Sequence, residues 1–250
     1  MDTWSPAFVV LVTATFLLGG FVKGFVGFGP PLVAVTILAP IYGIRTVLAL
    51  IVFPTIVLNL LQALQGGHGQ GIVRRLWPYM ITISAGIWFG VGILTRAEVH
   101  VLTVLLGVML FTYAVASLCN VSLPQPGRAE IFTTPAMGAV SGLLAGMTGV
   151  YVFPTALYLR ALGYDRDALI QAMGIVFLCV SAAIAVSLGG RNLLPGDLAL
   201  ASALVTLPAL VGQWAGQRAA RTLPDAQFRR VFLTALAIVG VGIVVRSLIA

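Results

Sequence analysis

Charge is what this sequence has least of. Only 8% of its 250 residues are Asp, Glu, Lys or Arg, against about 25% in an ordinary soluble domain. So few charges cannot clothe the surface of a water-soluble globule of this length. There is one lysine, Lys23, and the seven acidic residues lie at termini or in connections between apolar runs. A carboxylate relay inside the membrane, as many proton pumps use, is therefore missing. His68 and His100 fall at segment ends, and Cys119 and Cys179 sit in apolar runs with no CxxC. No metal cluster is expected, and the cysteines read as small packing residues. No Walker loop is present to power transport by ATP. Ser141-Gly142 is only faintly like a membrane serine hydrolase motif, and no histidine falls in a matching segment. Without a nucleophile and base in the apolar runs, an enzyme is not expected, nor a cofactor.

What is there is hydrophobic. Apolar residues make up 60% of the chain, with several runs near the length of a membrane span. The fold class is an all-α polytopic membrane protein, with residues 1–250 forming a single membrane domain. The longest polar connection, roughly residues 119–130, leaves no room for a soluble domain. The net charge of +7 sits on arginines placed singly or in pairs at segment ends, such as Arg74-Arg75 and Arg229-Arg230. They read as topology determinants facing the cytoplasm, and no nucleic-acid partner is expected. The N-terminal run lacks a basic n-region and a small-residue cleavage pattern, so it reads as an uncleaved first segment.

One short pattern occurs twice. Residues 19–31 read GGFVKGFVGFGPP and residues 141–154 read SGLLAGMTGVYVFP. A constant offset of 122 sets Gly20, Gly24 and Gly27 over Gly142, Gly146 and Gly149. Apolar segments fall at 6–26, 31–41, 45–65, 76–95, 99–119, 131–149, 152–162, 167–188, 197–217 and 228–249. That is five per half, giving repeats over 6–119 and 131–249. The second and seventh are too short to cross about 30 Å of hydrocarbon. The first two segments of each repeat therefore read as a broken or re-entrant hairpin, with the glycines at its tip and three transmembrane helices after it.

The halves also match beyond the hairpin. The fourth segments carry Gly86-x-x-x-Gly90 and Gly212-x-x-x-Gly216, and Glu98 and Asp225 open the fifth. Five reversals per repeat would invert the second half. One side would then hold Arg74, Arg75, Arg128, Arg160, Arg166, Arg218, Arg221, Arg229 and Arg230, and the other Arg45, Arg96, Arg191 and Arg246. Nine against four places the first side in the cytoplasm and both termini in the periplasm. Four spans per half, with parallel repeats, would split the same arginines eight to five.

A broken apolar segment at matching places in two halves is the sign of a transporter site built on discontinuous helices. The candidate substrate-binding residues of the first tip are Lys23, Gly27, Phe28, Gly29 and Pro30. Lys23 is either a cavity-facing charge or a lysine snorkelling to the interface. Its counterpart in the second repeat is Ala145. Pro30, Pro31 and Pro154 stand where a new helix would start, and a helix N-terminus suits an anion. In the second repeat the candidates are Thr148, Gly149 and Tyr151. Gly20 and Gly142 read as packing positions. Asn59, Gln62 and Gln171 are polar residues within apolar segments, each open to substrate contact or to interhelical hydrogen bonding, as is Ser181. Asn59 and Ser181 match at the same offset of 122. The Gly-x-x-x-Gly pairs fit close helix contact, either within one chain or across a homodimer.

The runs GGFVKGFVGFGPPLVAV and GLLAGMTGVYVFPTALYL resemble the TauE/SafE group of sulfite and organosulfonate exporters. The resemblance covers nearly the whole chain. The group has further glycines where this chain has Pro30, Tyr151 and Val152. The resemblance implies a carrier in the bacterial inner membrane for small sulfur-containing anions such as sulfite, sulfoacetate or other sulfonates. Its partners would be that anion, the lipid bilayer and a coupling ion, proton or sodium. An anion channel and a carrier of carboxylates are the rival readings. A carrier shows saturable counterflow, whereas a channel gives resolvable currents.

Overall fold

A computed structural model of the chain describes residues 5–220 and 225–249. They form helices and connections with no strand. The first repeat holds α1 (Pro6–Val26), α2 (Pro30–Tyr42), α3 (Ile44–Ala63), α4 (Gly69–Arg96) and α5 (Val99–Leu118). After a single 3-10 turn at Gly127–Ala129, the second repeat holds α6 (Glu130–Thr148), α7 (Val152–Ala161), α8 (Arg166–Gly189), α9 (Gly196–Leu204), α10 (Thr206–Ala219) and α11 (Asp225–Ile249). Seven helical stretches among the described residues are long and apolar enough to cross a membrane. The chain is an all-α, multi-pass membrane protein. With 13 and 10 residues, α2 and α7 reach only about 20 Å and 15 Å.

The ninth apolar segment forms one span-length stretch, Gly196–Ala219, with a local break at Val205 between α9 and α10. Pro208 explains the break, because it has no N–H and its ring crowds the carbonyl four residues back. Helix α4 begins at Gly69 instead of near residue 76. Its extra turns carry Arg75, which forms a two-pronged ion pair with Glu130, Nε to Oε1 at 2.6 Å and Nη2 to Oε2 at 2.7 Å. Glu98 does stand at the N-cap of α5, but its side chain caps nothing. The side chain of Asp225 lies outside the described residues.

The chain divides into two compact units, and neither is one repeat. The first covers residues Met1–Pro54, Glu98–Asn120 and Asn192–Ala250, and the second Thr55–Ala97 and Val121–Arg191. In the first unit α1 lies along α10, and α5 along α11. In the second unit α6 lies along α4, which also packs on α8. Each repeat's opening helix is thus paired with the other repeat's fourth segment.

Glycine makes both pairings possible. In the first unit a Cβ added to Gly20 or Gly24 would fall on the carbonyl of Ala209 or Gln213, and one on Gly212 or Gly216 on that of Leu17 or Phe21. In the second unit the same holds for Gly142 against Ile83 and Gly90 against Leu143. A Cβ on Gly86 would stand 2.6 Å from the carbonyl oxygen of Ala139, and one on Gly146 2.6 Å from that of Ile87. Main chain rests on main chain, the arrangement by which small residues bring membrane helices together. Gly20 and Gly142 are packing residues, and the Gly-x-x-x-Gly contacts are made within one chain.

In the first unit, Pro54 interrupts the hydrogen-bond ladder of α3. Lacking an N–H, it leaves the carbonyl of Leu50 without its helical partner. Ser202 of α9 supplies one: its hydroxyl donates to Leu50 O at 2.7 Å, and Phe53 N–H donates to Ser202 Oγ at 3.1 Å. In lipid such groups have no water to turn to. Ser202→Ala should therefore lower stability by about 1–3 kcal/mol, read as a lower melting temperature of the purified protein. An unchanged melting temperature would show that Leu50 O does not need Ser202.

Candidate functional site: the two helix breaks

The first break lies in the first unit. Helix α1 ends at Gly27 in the left-handed conformation, φ 90° and ψ −4°, and the Gly27 N–H donates to Lys23 O at 2.8 Å. Three residues later α2 starts with Pro30 at its first position. Nothing lies within 4 Å of where a Gly27 Cβ would be, so its conformation, not crowding, calls for glycine. Gly29 is the reverse case. Its φ of 178° suits any residue, but a Cβ there would strike the backbone of α1 at Gly19 and Lys23. Lys23 is 4% exposed and occupies the last turn of α1. There a cation offsets the negative end of the helix dipole. Phe28 is buried, its ring edge-on to Tyr113 with centroids 5.7 Å apart.

The second break lies in the second unit and repeats the first at its start. Helix α6 ends at Gly149, φ 73° and ψ −4°, whose N–H donates to Ala145 O at 2.8 Å. Gly149 and Ala145 are the counterparts of Gly27 and Lys23 at the offset of 122. Past the cap the two differ. Val150 and Tyr151 are non-helical, Phe153 is extended at φ −106° and ψ 128°, and the Phe153–Pro154 bond is cis. Regular helix resumes at Pro154, as its sequence position predicts.

The donors available at these breaks are fewer than the glycine count implies. The N–H groups of Gly27 and Gly149 close their caps, and that of Val150 donates to Thr148 Oγ1 at 3.2 Å. Pro30, Pro31 and Pro154 have no N–H to give. The helix ends still carry partial charge, but charged and polar side chains must do more of the binding.

The second unit gathers such side chains beside its break. Asn59 Nδ2 donates to Ser181 Oγ at 3.1 Å and lies 3.5 Å from the Tyr151 hydroxyl, and Ser181 Oγ donates to Phe177 O at 2.7 Å. Thr55 joins the same group. All four are buried. The Tyr151 ring packs on Phe177 at 5.0 Å. Asn59 and Ser181 are the counterparts that match at 122, and here they touch.

Gln62 and Gln171 stand apart from that group. Gln62 Nε2 donates to Ile170 O at 2.9 Å, and Gln171 Nε2 to Ala63 O at 3.0 Å. Gln171 Oε1 accepts from His68 N–H at 2.9 Å. Both amides tie the end of α3 to the start of α8. A further hydroxyl cluster escaped the sequence reading. The Tyr79 hydroxyl lies 3.0 Å from both Ser141 Oγ and Thr155 Oγ1, and the Tyr158 hydroxyl 2.6 Å from Thr134 Oγ1. The two tyrosine rings stack with centroids 5.7 Å apart. Ser141 thus faces a phenol and not a base. Among the described residues no group of three His, Cys, Asp or Glu is placed to hold a metal ion.

A duplicated glycine-capped break inside apolar helices agrees with one comparison. The sequence profile of the family described as Sulfite exporter TauE/SafE matches residues 12–243. The chain belongs to this family. No curated protein and no solved structure matches it. As a TauE/SafE protein it belongs among membrane transporters and not enzymes.

The left-handed caps give a direct test. Gly27→Val and Gly149→Val put a β-branched side chain where it costs about 1–2 kcal/mol or more in backbone strain. Both variants should reach the membrane and lose transport. Wild-type transport by both would show that the glycines are spacers only.

Proposed function

We propose that this protein is a secondary transporter that exports small sulfur-containing anions, such as sulfite, sulfoacetate or other sulfonates, across the bacterial inner membrane. Alternating access around the two broken hairpins would carry them, with both termini in the periplasm and a proton or sodium as coupling ion. The observation that carries the reading is the recurrence of one left-handed glycine cap in both repeats, Gly27 and Gly149, with buried polar groups beside each. Unwound backbone is tolerated at membrane depth only where protein or a watery cavity receives it.

The anion preference rests on charge. Lys23 lies in the last turn of α1, four residues before Gly27, and α2 presents its positive end three residues after that glycine. By offsetting the negative end of α1, Lys23 leaves the α2 terminus to dominate the local field. In surroundings of low dielectric constant such a field acts strongly on a small anion. In the first unit Phe28, Gly29 and Pro30 would shape the contact. In the second unit Asn59, Thr148, Gly149 and Tyr151 would offer hydroxyl and amide partners for substrate oxygens. Gln62 and Gln171 would hold α3 and α8 in place behind them.

Ligand binding to the native state raises apparent stability, so a thermal-shift series on purified protein tests both class and charge. Sulfite or sulfoacetate should stabilise the protein more than acetate does. Lys23→Met should weaken the better ligand by about 2–5 kcal/mol, while Lys23→Arg keeps part of the affinity. An unchanged dissociation constant in Lys23→Met would remove Lys23 from the site.

A further inference from the structure

The two glycine seams are alike in backbone and unlike in what flanks them. At the fourth segments the offset between repeats is 126, since Gly86 and Gly90 match Gly212 and Gly216. By that offset Gln213 of α10 is the counterpart of Ile87 of α4. Ile87 is fully buried, as its surroundings require. Gln213 is also buried, only 7% exposed, and its Oε1 has no hydrogen-bond partner. The backbone of Gln213 lies against Gly24, the residue after Lys23. In the second unit the corresponding positions are Ile87 and Ala145, both apolar and both fully buried. One seam therefore carries a buried glutamine whose backbone meets the residue next to a buried lysine, where its twin carries neither.

An unpaired polar group out of reach of water is costly, and replacing it by an apolar group of the same shape is neutral or stabilising. Nothing in the packing calls for an amide here, since isoleucine serves the other seam. The conflict between local chemistry and surroundings is what a binding residue shows when its ligand is away. A carboxamide can turn either its oxygen or its N–H groups toward a given point. An oxyanion drawn by the Lys23 charge would accept from those N–H groups.

We propose that Gln213 is a substrate-binding residue, a neutral hydrogen-bond donor to the oxyanion end of a sulfite or sulfonate on the Lys23 side of the first unit. It rests on the sulfur-anion reading above. The seam of the second unit, with Ile87 and Ala145, makes no such contact.

Apo stability and affinity together test this. Full-length protein carrying Gln213→Met, Gln213→Leu or Gln213→Glu is purified, and melting temperatures are measured without ligand and over a series of sulfite and of sulfoacetate concentrations. The Met and Leu variants should melt at or above the wild-type temperature without ligand. Their dissociation constants for the better ligand should rise by about tenfold or more, the loss expected for one hydrogen bond to a charged group. Gln213→Glu should lose more, because its carboxylate repels the anion. An unchanged constant in a folded Met or Leu variant would overturn the proposal and leave the transporter reading standing. So would a melting temperature lowered in both, which marks a packing role. If neither anion stabilises the wild type, the sulfur-anion reading fails and this proposal falls with it.

Discussion

In each unit the helix that ends at a break is positioned by main chain lying directly on main chain along a glycine seam. Helices in lipid gain nothing from hiding apolar surface from each other, so close packing must hold them. Along α1 and α10, and again along α6 and α4, glycines let the carbonyls of one helix approach the Cα atoms of the next. That contact fixes the helices that end in the left-handed caps at Gly27 and Gly149. A glycine can turn the chain there without a side chain to oppose it. The seams and the caps use the same residue type for opposite reasons, one for closeness and one for conformation.

This division explains how much the sequence disclosed. The span pattern was legible because hydrocarbon thickness fixes helix length, and α1, α2, α3, α5, α6, α7, α8 and α11 begin and end within a few residues of their apolar runs. The breaks were legible because glycine followed by proline is poor helix and good helix start. Which glycines pack and which turn was only half legible. Gly29 looked like part of the turn, yet it is a contact against α1. Long-range repairs were not legible at all. Nothing near Pro54 points to Ser202, its partner through Leu50, because the two helices are far apart in the chain. Gln213 had a signal, its mismatch with Ile87 at an offset of 126, but that offset differs from the 122 that aligns the hairpins.

The two halves share one backbone plan and depart from it at a few named places. The caps, the seams and the meeting of Asn59 with Ser181 are common to the repeats. Lys23, Gln213, Tyr151 and the irregular chain from Val150 to Pro154 are not. A symmetric pair of backbone breaks would hold any small polar species in two alike places. The buried lysine lies in the first unit, and the cluster of Asn59 with hydroxyls in the second, so each break has its own chemistry.

Counterflow in proteoliposomes tests the central claim most directly. Vesicles holding purified protein and a high internal concentration of unlabelled sulfoacetate are diluted into a trace of the labelled anion. A carrier built on alternating access accumulates label transiently above equilibrium, and the initial rate saturates with concentration. No accumulation, with label instead equilibrating at a rate that rises in proportion to concentration, would contradict alternating access. No protein-dependent entry of sulfoacetate or sulfite would contradict the substrate class itself.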